Sequence, residues 1–195
     1  MHLIHSTYCD GAIVYKILRE GKLLSSKKTN NTTMHGTPSN YIFFSFDCPE
    51  KGISQEFRGS AMFHFKYSLL ADKCWYFQTH WKGEESLDSA IKIDCSQKKC
   101  TKRAIKRIFE EVLYKIIKKN FKKQLSDWKK RTGKSRTTPS TLEIIHSHEV
   151  LIKDKVPLKP YLYKIEVDIS FGKYKEKIKR LLKKHYPEVE LVVLP

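Results

Sequence analysis

Apolar positions along this chain follow two rhythms, one of period two and one of period three to four, and together they predict a mixture of strands and helices. Residues 2–6 are predicted as an opening strand. Asp10 fits an N-cap, and Ala12, Ile13, Tyr15, Lys16, Ile17 and Leu18 follow at helical spacing up to Gly21, a natural helix stop. Leu23-Leu24 reads as a short extended piece. Residues 25–40 are rich in Ser, Thr and Asn, contain His35, Gly36 and Pro38, and are predicted as a loop. Polar loops of this length are often functional. Tyr41–Phe46 is a strong strand signal whose aromatic density predicts burial on both faces. Residues 47–59 read as a further loop. Ala61–Tyr67 alternates and predicts a strand facing partly outward, and Cys74–Phe77 predicts another.

The longest helical pattern covers residues 101–131. Ile105, Ile108, Phe109, Val112, Leu113, Ile116, Ile117, Phe121, Leu125 and Trp128 form an apolar stripe at spacings of mostly three and four. The remaining positions are strongly basic. Residues 132–140 break the pattern with Gly133 and Pro139. Ile144-Ile145 and Val150–Ile152 bracket Glu149 in strand-like sequence, and Tyr161–Ile169 alternates as another strand. Residues 173–185 predict a short basic helix with Ile178, Leu181 and Leu182 inward, and Val189–Leu194 closes as a strand. With no internal repeat and no linker, a single α+β domain over residues 1–195 is the economical reading.

Length and composition sharpen this picture. A chain of 195 residues with 40% hydrophobic content can bury one well-packed core. No run reaches the ~18 consecutive apolar residues of a membrane span, and the N-terminus does not read as a signal peptide. The five cysteines, Cys9, Cys48, Cys74, Cys95 and Cys100, are odd in number and sparse. They are expected to be ordinary thiols of an intracellular protein, cytoplasmic or nuclear. The spacing of Cys95 and Cys100 is too loose for a zinc knuckle.

Charge carries more information. Lys and Arg number 38 against 21 acidic residues, a net +17. That excess attracts polyanions, nucleic acid (DNA or RNA) first and acidic membranes or proteins second; its plainer reading is a solvated lysine-rich surface. The candidate nucleic-acid contacts are Lys102, Arg103, Lys106, Arg107, Lys118, Lys119, Lys122 and Lys123 on the long helix.

Several chemistries are absent from the sequence. Thr132-Gly133-Lys134-Ser135 lacks the upstream glycine and strand of a phosphate loop. There is no Rossmann glycine fingerprint and no nucleophile elbow. His146 and His148 would share one face of a strand while Glu149 points to the other, which argues against a metal site.

What remains is an ordered set. His5-Ser6-Thr7 stands in the first strand, ahead of a helix closing at Gly21. Ile42-Phe43-Phe44-Ser45 is an aromatic strand ending in a small residue. Glu149-Val150 opens a late strand and is followed by Val156-Pro157. In these features the chain resembles the ADP-ribosyltransferase superfamily, with its DNA-targeting toxins and its branches like diphtheria toxin and the poly-ADP-ribose polymerases. The resemblance implies a split β-sheet with flanking helices, a turn at Val156-Pro157, and residues 101–131 as a basic helical insertion. It implies NAD as cofactor and transfer of ADP-ribose to a macromolecular acceptor, nucleic acid preferred and protein open. By the same resemblance His5 holds a ribose hydroxyl, the Ser6 backbone holds the nicotinamide amide, and Thr7, Tyr41, Phe43 and Ser45 complete the NAD site. Glu149 is the catalytic carboxylate. It binds the nicotinamide ribose and stabilises the positive charge of glycosidic cleavage.

Three positions depart from the family pattern. The tyrosine that stacks on nicotinamide falls on Phe43, unless Tyr41 takes its place. Phe46-Asp47 stands where the DNA-targeting toxins carry arginine. Ser147 stands two before Glu149, so the double glutamate of arginine-modifying enzymes is missing. The histidine and glutamate are expected to meet on adjacent central strands. The competing readings are a non-enzymatic basic protein that stacks nucleic acid on Trp75, Tyr76, Trp81 and Trp128, and an inactive ADP-ribosyltransferase-like interaction module.

Overall fold

In the computed structural model the described residues are 2–7, 10–29, 39–47, 60–79, 90–113, 115–116, 119 and 148–194. The chain opens with β1 (His2–Thr7), then α1 (Gly11–Glu20), β2 (Lys22–Leu24) and a helical turn α2 (Ser26–Thr29). Strands β3 (Tyr41–Asp47), β4 (Ala61–Lys66), β5 (Cys74–Thr79) and β6 (Ile91–Asp94) follow. Then come α3 (Lys102–Arg107), β7 (His148–Lys153), β8 (Lys155–Pro157), β9 (Leu162–Asp168), α4 (Lys173–His185) and β10 (Glu190–Leu194). This is an α+β fold on one large, mostly antiparallel sheet, with strand order β10-β9-β4-β1-β3-β7-β5-β6. Among the described strands only β10 runs parallel to its neighbour, through the β9–α4–β10 crossover.

The helix ends form where the sequence signals them. The Asp10 carboxylate accepts the Ile13 N–H at 3.0 Å, capping α1. Gly21 ends it at φ 70°, in the left-handed region. Thr101 caps α3 by accepting from Ala104, and the helix widens into a π-type turn at Ile108–Leu113. Positions 121–131 of the expected long helix lie outside the described residues. So do the loops at 30–38 and 48–59 and the break at 132–140.

Among the described residues, the helices with buried stripes pack on one face of the sheet. Val14 and Leu18 of α1, Ile105 of α3 and Ile178 and Leu182 of α4 join Leu3, Phe44, Phe63, Phe65, Trp75, Val150, Ile152 and Ile165 in a single core. Trp75 is fully buried and stacked on Phe109 with ring centroids 5.6 Å apart. It is therefore not the exposed stacking aromatic of the nucleic-acid-binding reading; Trp81 and Trp128 lie outside the described residues.

Four further expectations are corrected. β4 does not face outward, because Ala61 to Phe65 are all buried: β1 and β9 flank it and side chains cover both its faces. β3 is not buried on both sides; Ile42 and Phe44 are buried while Tyr41, Phe43 and Ser45 are only half-buried. Val156-Pro157 is part of a strand pairing with β2 rather than a turn. Cys95 and Cys100 are joined by a disulfide rather than standing as thiols, their Cα atoms 5.3 Å apart in the connection between β6 and α3.

Candidate active site

β1 pairs with β3 only over His2–Ile4 against Asp47–Ser45. On its other edge, β3 pairs with β7 over Tyr41–Phe44 against Lys153–Val150. The large sheet therefore splits: beyond Ile4 and Ser45, β1 follows β4 while β3 turns with β7. Ser45 stands at the fork. Continued by one residue, the β3–β7 register sets Glu149 across from Ser45.

His5 and Glu149 accordingly do not lie on adjacent strands. β3 runs between β1 and β7, so a whole strand separates them. The reason is the sheet order, which inserts the aromatic strand at the centre.

His5 takes over where the backbone ladder stops. Its ring lies across the split, with Nδ1 2.9 Å from the Phe43 carbonyl oxygen, to which it donates. Phe44 and Phe63 flank the ring with centroids 5.8 and 6.5 Å away. Burial pushes its pKa below the ordinary histidine value, against the opposing pull of the Phe43 hydrogen bond. The imidazole is thus neutral at pH 7, with Nδ1–H committed and Nε2 left as the acceptor nitrogen.

The opposite side of β3 presents Tyr41, Phe43 and Ser45, and by strand alternation Glu149 shares that side. Phe43 pairs with Leu151, two residues from Glu149, whereas Tyr41 pairs with Lys153, four away. Tyr41 also meets Tyr76 edge-on at 5.6 Å. Burial, then the neighbouring Cys74 and Tyr41, pushes the Tyr76 phenol up. Of the two rings, Phe43 is the one beside the fork. Ser6 is exposed, and at the end of β1 the Thr7 carbonyl accepts the Ser60 N–H at 2.9 Å.

Next to that strand end lies a cleft of about 550 Å³, lined by Asp10, Gly11, Ser60, Ser170, Phe171, Gly172, Lys173 and Tyr174. The starts of α1 and α4 meet there. A Cβ on Gly11 would come within 2.5 Å of the Tyr174 Cβ, so only glycine lets the two helices approach this closely. The sequence marks this cleft only by a pair of glycines, Gly11 and Gly172, each at a helix start.

The expected nucleic-acid contacts divide. Lys102 and Arg103 are exposed on α3. Lys106 and Arg107 are neutralised along the helix by Glu110 at 3.6 Å and Glu111 at 2.8 Å. Lys119 is exposed, while Lys118, Lys122 and Lys123 lie outside the described residues. Among the described residues no cluster of His, Cys, Asp and Glu could hold a metal ion, and no helix is long and apolar enough to cross a membrane.

A neutral imidazole acceptor, a half-buried aromatic ring and a carboxylate are group types that suit a dinucleotide; the imidazole stands with Phe44 and Phe63 on one side of the sheet, and Phe43 and Glu149 on the other.

No family model matches the chain, and no curated protein matches it. Solved structures do share its fold. Thermus sp. 2.9 DarT in complex with carba-NAD+ superposes with a TM-score of 0.51 at 15% identity, covering 100% of this chain and 95% of that one. The same protein in complex with NAD+ gives 0.50 at 15% identity, covering 99% and 94%. The α+β fold is thus common to both proteins, over all of this chain and 95% of the other.

Proposed function

We propose that this protein transfers ADP-ribose from NAD to a macromolecular acceptor, nucleic acid before protein. The observation that carries the reading is the forked sheet. His5 bridges β1 and β3 where they part, and Glu149 opens the strand on the far side of β3. The Thermus protein of the same fold is seen with NAD+. The net charge of +17 favours a polyanionic acceptor.

Bound NAD supplies a glycosidic bond whose cleavage leaves positive charge on the ribose. Each side chain then has a task set by its own chemistry. His5 accepts a ribose hydroxyl at Nε2, since its Nδ1 proton is held by Phe43. Phe43 offers the nicotinamide ring a flat apolar neighbour. The backbone of Ser6, exposed at the end of β1, offers an N–H and a carbonyl to the amide, with Thr7 and Ser45 at the margins. Glu149 holds the nicotinamide-ribose hydroxyl, and its fixed negative charge stabilises the charge that develops beside it. The acceptor attacks from the side opposite the leaving nicotinamide, and Glu149 can take its proton.

The test is transfer of label. Protein is incubated with NAD labelled in the adenylate half and with mixed-sequence DNA, RNA and protein acceptors. Label on an oligonucleotide is the expected result. Label recovered only as free ADP-ribose, or remaining wholly in NAD, would overturn the proposal.

A further inference from the structure

Among the described residues, α4 carries a less neutralised basic surface than α3. Its thirteen residues, Lys173 to His185, carry seven lysines and arginines and a single acid, Glu176. Glu176 pairs with Lys179 at 2.9 Å. Lys173, Lys177, Arg180 and Lys184 are all exposed and follow at spacings of four, three and four. They form one straight stripe about 16 Å long. None of the four is paired with a carboxylate among the described residues. α3 differs in that two of its four cations are spent on Glu110 and Glu111.

The stripe also has an aromatic companion and a destination. Lys173 and Lys177 sit 5.6 and 5.3 Å from the ring of Tyr174, and Tyr15 of α1 lies 6.5 Å from the same ring. Lys173 and Tyr174 line the cleft beside Ser60, whose N–H is bonded to Thr7 at the end of β1. A chain of phosphates lying on α4 would lead to the edge of the candidate active site.

We infer that the exposed Lys173–Lys177–Arg180–Lys184 stripe of α4 is the surface on which single-stranded nucleic acid docks. Charge complementarity supplies attraction all along the stripe, and the Tyr15–Tyr174 pair supplies ring faces for unstacked bases. An anionic membrane fits less well. The apolar side of α4, Ile178 and Leu182, is buried in the core, so no apolar face is left to enter a bilayer. The inference deepens the nucleic-acid half of the proposed function and rests on it, but it does not need NAD.

The experiment measures binding of a fluorescein-labelled, mixed-sequence single-stranded oligonucleotide by the full chain over a range of salt. Three forms are compared: wild type, K177Q/R180Q/K184Q and K102Q/R103Q. Losing three phosphate contacts should lower the slope of log affinity against log salt by about 2. Affinity at 0.1 M salt should fall at least tenfold, while K102Q/R103Q stays within about threefold of wild type. K177R/K184R, which keeps the charge, should bind like wild type. Equal binding and equal slope for wild type and the α4 triple variant would overturn the inference, as would a larger loss in K102Q/R103Q. Wild type that binds phosphatidylserine vesicles but not the oligonucleotide would overturn it too. Nicotinamide release from NAD without oligonucleotide reports the active-site reading separately, and the α4 variants should leave it unchanged.

Discussion

His5 donates to a carbonyl that the parting of β1 and β3 would otherwise leave without a partner. This dual position gives two expectations. His5→Ala should destabilise the fold by about 1–3 kcal/mol in urea titration, the cost of an unsatisfied buried carbonyl. It should also weaken NAD binding about fivefold to tenfold by calorimetry, the worth of one hydrogen bond. Because burial depresses its pKa, the neutral form persists below pH 6.5, so NAD affinity should stay level from pH 8 to 6.5 and weaken only in stronger acid. A second histidine sets a pH dependence of stability. His64 is buried, 3.3 Å from Glu166, whose other oxygen accepts from Lys164 at 2.6 Å. Burial first, then the Lys164 charge, lowers His64 from 6.5 to about 4, against the pull of Glu166. Burial would raise Glu166, but Lys164 and His64 hold it low. In the window between about 4 and 6.5 the unfolded chain takes up the His64 proton and the native one does not. Stability is therefore complete above pH 6.5 and is lost as pH falls toward 4. The melting temperature of His64→Phe should fall less between pH 7 and 5 than that of wild type; an equal fall would count against this assignment. His5 was legible from sequence because its motif is local. The His64–Lys164–Glu166 cluster was not, because only the β4–β9 register joins residues a hundred positions apart.

At the scale of elements, α1 and α4 start together and end together. Gly11 meets Tyr174 at one end, and at the other the Tyr186 hydroxyl donates to the Leu18 carbonyl at 2.9 Å. Gly11→Ala drives a methyl into a Cβ that cannot move without its helix. It should cost about 1–3 kcal/mol and lower the melting temperature by several degrees. A melting temperature equal to wild type would show that the helices can slide apart freely. The bounds of these elements were readable because they rest on local chemistry: the Asp10 cap, the Gly21 stop and the apolar stripe of α4. What escaped was set by distant neighbours. Ile91–Asp94 is too short and too exposed to announce a strand, and only its pairing with β5 makes it one. His64 and Lys66 gave β4 the look of a half-exposed strand, but His64 is covered from β9 and only Lys66 reaches solvent. The Cys95–Cys100 bridge depends on a turn that brings the two Cα atoms together, which residue spacing does not specify.

At the scale of the whole molecule, the α+β class and the order of motifs could be read from the chain, while the sheet order could not. Strand order depends on non-local pairing, and it sets β3 between the histidine and the glutamate. That arrangement keeps the two side chains on separate strands rather than in direct contact. Net charge was visible as a number, but its distribution was not. Glu110 and Glu111 of the π-type turn neutralise Lys106 and Arg107 of α3, and folding exposes the stripe on α4 instead. Under the proposed function, the fork between β1, β3 and β7 cleaves NAD with Glu149. The most direct measurement is nicotinamide release from saturating NAD by wild type and Glu149→Gln, with and without a single-stranded oligonucleotide. Wild type should release nicotinamide, and the variant should be slower by at least about a hundredfold with unchanged melting. Equal release by both, or none from wild type under any condition, would contradict the claim.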